Sequence, residues 1–434
     1  GAWNEQIIAT TGSHNMVAAD LDDDGDVDLV GANHAQPPLE IWRNDVDPRS
    51  RLALDRWRRH VIDTSMPWRA VFVLPARIDA DLLPDVVAGG WWYRNPGSAG
   101  GSWRREPLGD PLNNMATVHD FDRDGDLDVL GTRGVGFETN GQFAWARNDG
   151  SGSFTVLTNI EPGAGPFLQG VTVGRYQYLE PLQVALSWED GTDTRMLLVP
   201  DDPSVQTWSS RLAVDTSLGE DLDTGDIDGD RDNDILQCLQ WLRNTETGWS
   251  AYSIHPLEPP AEPDRTRLVD LNVDGRPDAL VGYGHQRPHG SLSWYEQPER
   301  ATHPWIEHVI DEPYNPQSLD VADLDLDGDL DLVVGEHNKS NPTASRLIIY
   351  ENLGGRGAGF RRRVIHVGDE HHGGTRLFDV EGDGDLDIIS IGYTHRRVLL
   401  YENLASPGAI SDVPAEPEPP SSSGLRLAPP NPNP

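Results

Sequence analysis

Residues Asp323–Asn338 read DLDLDGDLDLVVGEHN, with five aspartates at alternate positions in nine residues before the chain turns apolar. Like charges this close repel, so a folded chain keeps them together only where something offsets the repulsion. Aspartate at positions one, three and five of a tight loop, with glycine at six, is how a chain wraps an oxygen-preferring dication. Alternate side chains converge, a backbone carbonyl at seven joins them, and a later carboxylate closes the shell. Here the closing acid is the ninth residue, Asp331.

The pattern recurs. It appears as DLDDDGDVDLVGA from Asp20, RIDADLLPDVVAG from Arg77, DFDRDGDLDVLGT from Asp120, DIDGDRDNDILQC from Asp226, DLNVDGRPDALVG from Asp270 and DVEGDGDLDIISI from Asp379. A degenerate copy, RYQYLEPLQVALS from Arg175, fits the gap between the third and fifth units. Eight units about 43 to 57 residues apart indicate a propeller or a solenoid. Each unit has matching flanks. Upstream lies a segment such as WRRHVID (Trp57), WIEHVID (Trp305) or FRRRVIH (Phe360). Downstream lies IWRN (Ile41), WYRN (Trp92), WLRN (Trp241), WYEQ (Trp294), IYEN (Ile349) or LYEN (Leu400). Four short strands per unit, separated by Gly, Pro, Asn and Asp, are the mark of a propeller blade. The third strand is apolar on both faces. Trp92, Trp145, Trp241 and Trp294 point one way, and Trp42, Tyr93, Tyr295, Tyr350 and Tyr401 the other, as a blade sandwiched between two neighbours requires.

The fold expected is therefore all-β: an eight-bladed propeller of four-stranded antiparallel blades over residues 1–407. The last unit lacks an outer strand, and Trp3–Ala9 (WNEQIIA) is expected to supply it and remove the open edge. A seven-bladed ring is the alternative, with the degenerate unit as an insertion. Residues 408–434 are Pro- and Ser-rich, a stiff linker or tail in the polyproline II manner.

The metal ligands expected are Asp20, Asp22, Asp24 and Asp28; Asp79, Asp81 and Asp85; Asp120, Asp122, Asp124 and Asp128; and Asp226, Asp228, Asp230 and Asp234. Asp270, Asn272, Asp274 and Asp278; Asp323, Asp325, Asp327 and Asp331; and Asp379, Glu381, Asp383 and Asp387 complete the set. The loops contain no Cys or His, which argues against zinc or copper, and this many hard oxygen ligands favour calcium over magnesium. In the second unit Arg77 replaces the first acid; in the fifth, Arg231 stands where Gly is usual and should strain the loop. The fourth unit has no acid in the ligand positions and should bind nothing. Six or seven calcium ions would offset about 12 to 14 charges, and their binding would be part of the folding free energy.

The whole chain agrees. Its 434 residues carry a formal net charge of −37, which argues against nucleic acid or an anionic membrane as partner. No apolar run is long enough for a membrane span, and the opening GAWNEQIIAT is no signal peptide. The single cysteine, Cys238, excludes an intrachain disulfide. Loops of this kind bind calcium at about 0.1 to 1 mM in extracellular modules, so a secreted or cell-surface setting is expected.

These units resemble the calcium-binding FG-GAP and VCBS-type repeats of secreted bacterial proteins and the blades of integrin α-chain propellers, over about residues 3–405. The calcium loop carries the resemblance, since the Phe-Gly and Gly-Ala-Pro signatures are missing. The ending LRLAPPNPNP resembles the lead-in to a type IX secretion sorting domain.

Function is expected on the face opposite the acidic loops, where loops enter the first strand and join the second to the third. Eight of the fourteen histidines fall there, His337 and His371 among them. So do Trp68, Trp91 and Trp188, the tryptophans outside repeat positions, with Arg69 beside Trp68. Exposed aromatic planes next to polar and charged groups suit sugar rings or a protein surface. The leading expectation is a non-enzymatic binding or adhesion module for carbohydrate or an extracellular protein. One alternative is a structural subunit of a fibre or surface layer, docking on itself through the Pro-rich tail. Another is a lyase acting on acidic polysaccharide, with His371, His372, Tyr393 or His395 as base and Arg69 neutralising the carboxylate.

Overall fold

A computed structural model describes the backbone of strands 15–19, 28–32 and 39–42, and residues 52–405 apart from 82, 137–140, 164, 166, 177–180, 190–192, 246, 257–261, 285–290, 355 and 358. Residues 52–405 build a seven-bladed β-propeller of four-stranded antiparallel blades. In chain order the blades span 73–107, 114–157, 168–214, 223–253, 263–311, 316–367 and 375–403. The innermost strands touch in sequence around the ring, and Thr375–Phe378 of blade 7 meets Val73–Ala76 of blade 1.

The ring is closed by Trp57–Asp63, which pairs antiparallel with Val398–Asn403 of blade 7 (Trp57 opposite Asn403, Arg59 opposite Tyr401, Asp63 opposite Val398). Eight blades were expected, and the ring has the seven of the alternative, though for a different reason. The degenerate unit is a complete blade, Leu168–Gly174, Gln183–Trp188, Thr194–Leu198 and Ser209–Val214. The first unit, Asn15–Ala19, Asp28–Ala32 and Leu39–Trp42, forms a three-stranded sheet of its own. Its expected outer strand is the one that closes the ring. Trp3–Ala9, expected in that role, lies outside the described residues, as does the tail from 406. Both segments fit the outer-strand pattern, so sequence alone does not choose between them. The closing strand is also held by side chains: Arg59 pairs with Asp369, and Arg58 and His60 with Glu402. Leu404 N–H donates to Arg56 O at 2.8 Å.

Seven apolar clusters hold the ring, one at each blade interface. The two-faced third strand fills them as expected. Trp92, Trp145, Trp241 and Trp294 pack toward the following blade; Tyr93, Tyr295, Tyr350 and Tyr401 pack toward the preceding one. Each buried aromatic removes about 150–250 Å² from water, so these interfaces supply much of the stability. In blade 3 the buried ring of Tyr176 stands at the loop's second position, where the other loops carry Ile, Phe, Leu or Val, and packs between blades 3 and 4.

Candidate functional site

The acidic loops join the first and second strands of blades 1, 2, 4, 5, 6 and 7, and those of blades 2, 5, 6 and 7 share one geometry, while in blade 4 Asp226 accepts N–H from Gly229 and Arg231 and in blade 1 Arg77 takes the first position. In the shared geometry the carboxylate at position one accepts backbone N–H groups from positions five and six. Asp120 takes Asp124 N and Gly125 N at 3.1 and 3.2 Å, and Asp270, Asp323 and Asp379 repeat the arrangement. Position six is left-handed, with φ of 99° at Gly125, 86° at Gly275, 96° at Gly328 and 95° at Gly384. Arg231 is forced into the same region at φ 77°, the strain expected from the missing glycine.

The ninth residue does more than the sequence suggested. Asp128 Oδ2 accepts Phe121 N at 3.1 Å and its Oδ1 accepts Asn148 N at 2.8 Å, locking the loop to the third strand. Asp85, Asp234, Asp278, Asp331 and Asp387 make the same pair of bonds. Burial pushes these carboxyls up, to about 6 for Asp85, about 7 for Asp128, Asp234 and Asp278, about 8 for Asp331 and about 9 for Asp387.

Three loops gather carboxylate oxygens within 4.8 Å of one another: Asp120, Asp122 and Asp128; Asp226, Asp228 and Asp230; Asp323, Asp325 and Asp331. Asp122 Oδ1, Asp228 Oδ1 and Asp385 Oδ1 are buried with no hydrogen-bond partner among the described residues. Converging hard oxygens with lone pairs left over fit an oxygen-preferring dication. Other loops differ. In blade 1, Arg94 lies 3.0 Å from Asp79 and 3.5 Å from Asp81. In blade 4, Arg243 lies 2.7 Å from Asp228. In blade 7, Glu381 accepts Ala99 N–H from the neighbouring blade. The side chains of Asp20, Asp22, Asp24 and Asp28 lie outside the described residues.

On the opposite face, the loops of blades 7, 1 and 2 border a cleft of 360 Å³ lined by Trp68, Arg69, Val135, Gly136, Tyr393, Thr394, His395 and Arg396. Trp68 and Trp91 pair with centroids 4.7 Å apart, and Trp68 Nε1 donates to Asn113 O at 2.8 Å, which fixes its plane. The Arg69 guanidinium lies 3.8 Å from the centre of the Tyr393 ring and 5.7 Å from that of Phe167. Burial pushes Arg69 down to about 10, so it remains a cation at neutral pH. Lys339 approaches the same tyrosine, its Nζ 4.7 Å from the ring centre and 3.3 Å from the hydroxyl. Behind Tyr393, the tilted rings of His337 and His372 lie with centroids 4.6 Å apart, and His337 Nδ1 bonds to Glu370. Burial works against ionising Glu370, yet His337 together with the Thr394 N–H and O–H holds it below the usual carboxylate range. His395 Nε2 donates to Glu370 O at 3.0 Å, and its Nδ1 accepts Arg397 N.

The expected site residues therefore divide. Trp68, Arg69 and Trp91 come together with Tyr393 and His395. His337 and His372 form a buried layer beneath them. His371 is fully buried, bonded through Nδ1 to Ser390 at 2.8 Å and pushed down to about 3 by burial, so it lines no cleft. Trp188, expected on the surface, is 1% exposed in the core between blades 2 and 3. Gly163 and Gly165 lie against its ring, where a Cβ would clash, so the incoming segment covers it. The sequence reading missed Lys339, Glu370 and Arg396, although each stands within two residues of a histidine already singled out.

Residues 270–334 match the FG-GAP-like repeat, from the acidic loop of blade 5 to the second strand of blade 6. The chain is thus a β-propeller that carries an FG-GAP-like repeat across the seam of its fifth and sixth blades. No curated protein matches it in sequence. Among solved structures it is similar to the exotype rhamnogalacturonan lyase YesX, at 11% identity and a TM-score of 0.46, over 87% of this chain and 80% of that one. It is similar to rhamnogalacturonan lyase YesW at 11% identity and a TM-score of 0.45, over 88% and 80%. It is also similar to the extracellular domain of the B. thetaiotaomicron protein BT4673, provisionally assigned as a one component system, at 10% identity and a TM-score of 0.48, over 79% of this chain and 39% of that one. Among the described residues, no helix is long and apolar enough to cross a membrane.

Proposed function

We propose that the protein is a secreted or cell-surface, calcium-stabilised propeller that binds carbohydrate, without turning it over, in the cleft between blades 7, 1 and 2. The observation that carries the binding reading is the cleft itself. A fixed Trp68–Trp91 pair stands beside a stacked Arg69–Tyr393 pair at the rim of a rigid ring. Flat aromatic faces flanked by hydrogen-bonding groups take up sugar rings, and side chains held by packing bind without an ordering cost. The calcium ligands are the loop acids of blades 2, 4, 5, 6 and 7, and the ion supplies charge neutralisation to them. The extracellular setting follows from the weak affinity of such loops.

The lyase reading remains the second one, because Arg69, Tyr393 and His395 share the cleft. A glycan array with and without calcium, run alongside a lyase assay on uronate polymers followed by the ultraviolet absorbance of the unsaturated product, tests both. Calcium-dependent glycan binding without absorbance growth is expected. Growth abolished by Tyr393→Phe would replace the binding reading with the enzymatic one.

A further inference from the structure

We infer that the cleft selects an anionic polysaccharide, one bearing carboxylate groups, over neutral glycans; this rests on the carbohydrate reading above. The chain has 71 acidic against 34 basic residues, yet none of the eight residues lining the cleft is acidic and three are Arg or His. Arg69, which lies over the Tyr393 ring, and Arg396 both line the cleft, and Lys339 reaches the same ring from blade 6. Two nearby acids are turned inward. Glu370 is fully buried against His337 and Thr394, and Asp369 is held by Arg59, Arg397 and Tyr401. Glu189 is exposed on the blade 3 loop and its charge also acts on Arg69, but it does not line the cleft.

A confined positive patch on a body of this net charge draws in an anion locally while the rest of the surface repels it, so it selects for charge placed at one point. Arg69 suits a carboxylate for a further reason. Placed over the Tyr393 ring, its planar guanidinium is held before the ligand arrives, and its delocalised charge suits a carboxylate. Trp68 then offers its fixed ring to the adjoining sugar.

The test uses the full chain in saturating calcium, with oligogalacturonate as the anionic probe and its fully methyl-esterified form as the neutral one, both followed by calorimetry. Oligogalacturonate is expected to bind at least tenfold more tightly, with affinity falling severalfold as ionic strength rises. Arg396→Gln and Lys339→Gln, both at exposed positions, should each weaken it severalfold without changing the melting temperature in calcium. Arg69→Gln should weaken it tenfold or more, and Arg69→Lys should not restore it. Equal binding of the two probes, unmoved by Arg396→Gln and Lys339→Gln, overturns the charge selection and leaves the carbohydrate reading standing. Failure of these probes and of every glycan on the array overturns both.

Discussion

With calcium in the acidic loops as proposed, removing divalent cations should perturb those loops directly, and the number of sites sets the size of the effect. Five ring loops, from Asp120, Asp226, Asp270, Asp323 and Asp379, keep an acid or amide at positions one, three, five and nine. For a site with a dissociation constant of about 0.1 to 1 mM, 10 mM calcium stabilises the folded state by about 1.4 to 2.7 kcal/mol. Over five sites this comes to roughly 7 to 14 kcal/mol. A ring of roughly 350 residues unfolds with an entropy of about 0.7 kcal/mol/K, so the melting temperature should rise by roughly 10 to 20 °C. The pH dependence adds a second signature. The buried ninth carboxyls have folded pKa values raised to about 7 at Asp128, Asp234 and Asp278 and about 8 at Asp331, so the cation-free folded state binds more protons than the unfolded one. Stability in chelator should therefore be greatest near the unfolded carboxyl value, about pH 4, and fall as pH rises through about 8. Calcium, which favours the ionised form, should flatten that fall. Differential scanning calorimetry in chelator and in 10 mM calcium, at several pH values, reads both effects. A melting temperature that ignores calcium at neutral pH would refute the reasoning.

Other expectations follow from the ring. Deleting residues 1–50 should leave a cooperatively unfolding, calcium-responsive propeller, because Trp57–Asp63 closes it; deleting through Asp63 should abolish cooperative unfolding by calorimetry. Asp369→Asn should cost about 1 to 3 kcal/mol, or roughly 1 to 4 °C, because it removes the partner of the half-buried Arg59 and Arg397. Against burial, His366, Arg59, Tyr401 and Arg397 hold Asp369 well below the usual carboxylate range, so this contribution is present above about pH 4 and lost as pH falls further into acid. Arg231→Gly should stabilise by about 1 kcal/mol by relieving the left-handed backbone, read as a higher midpoint in urea.

Much of the fold was legible because it is periodic. The blade class, the four strands, the two-faced third strand and the ring all follow from local patterns that repeat, and local patterns survive in sequence. Blade number was not legible. Trp3–Ala9 and Trp57–Asp63 carry the same outer-strand pattern, and which of two equivalent strands fills one edge depends on the circumference at which the blades pack. The site divides along the same line. The spacing of acids in these loops lies within nine residues and could be read directly, down to the strain at Arg231. The cleft could not, because Arg69, Lys339 and Tyr393 meet from three blades and lie far apart in the chain. Trp188 and His371 looked exposed because they flank loops, but neighbouring backbone covers them, which a one-dimensional pattern does not record. What the sequence determined by itself is thus whatever is encoded within one repeat: strand, loop chemistry and the faces each blade buries. Tertiary structure alone decided how the repeats close and which side chains meet across their seams, because those contacts arise from packing between segments remote in the chain.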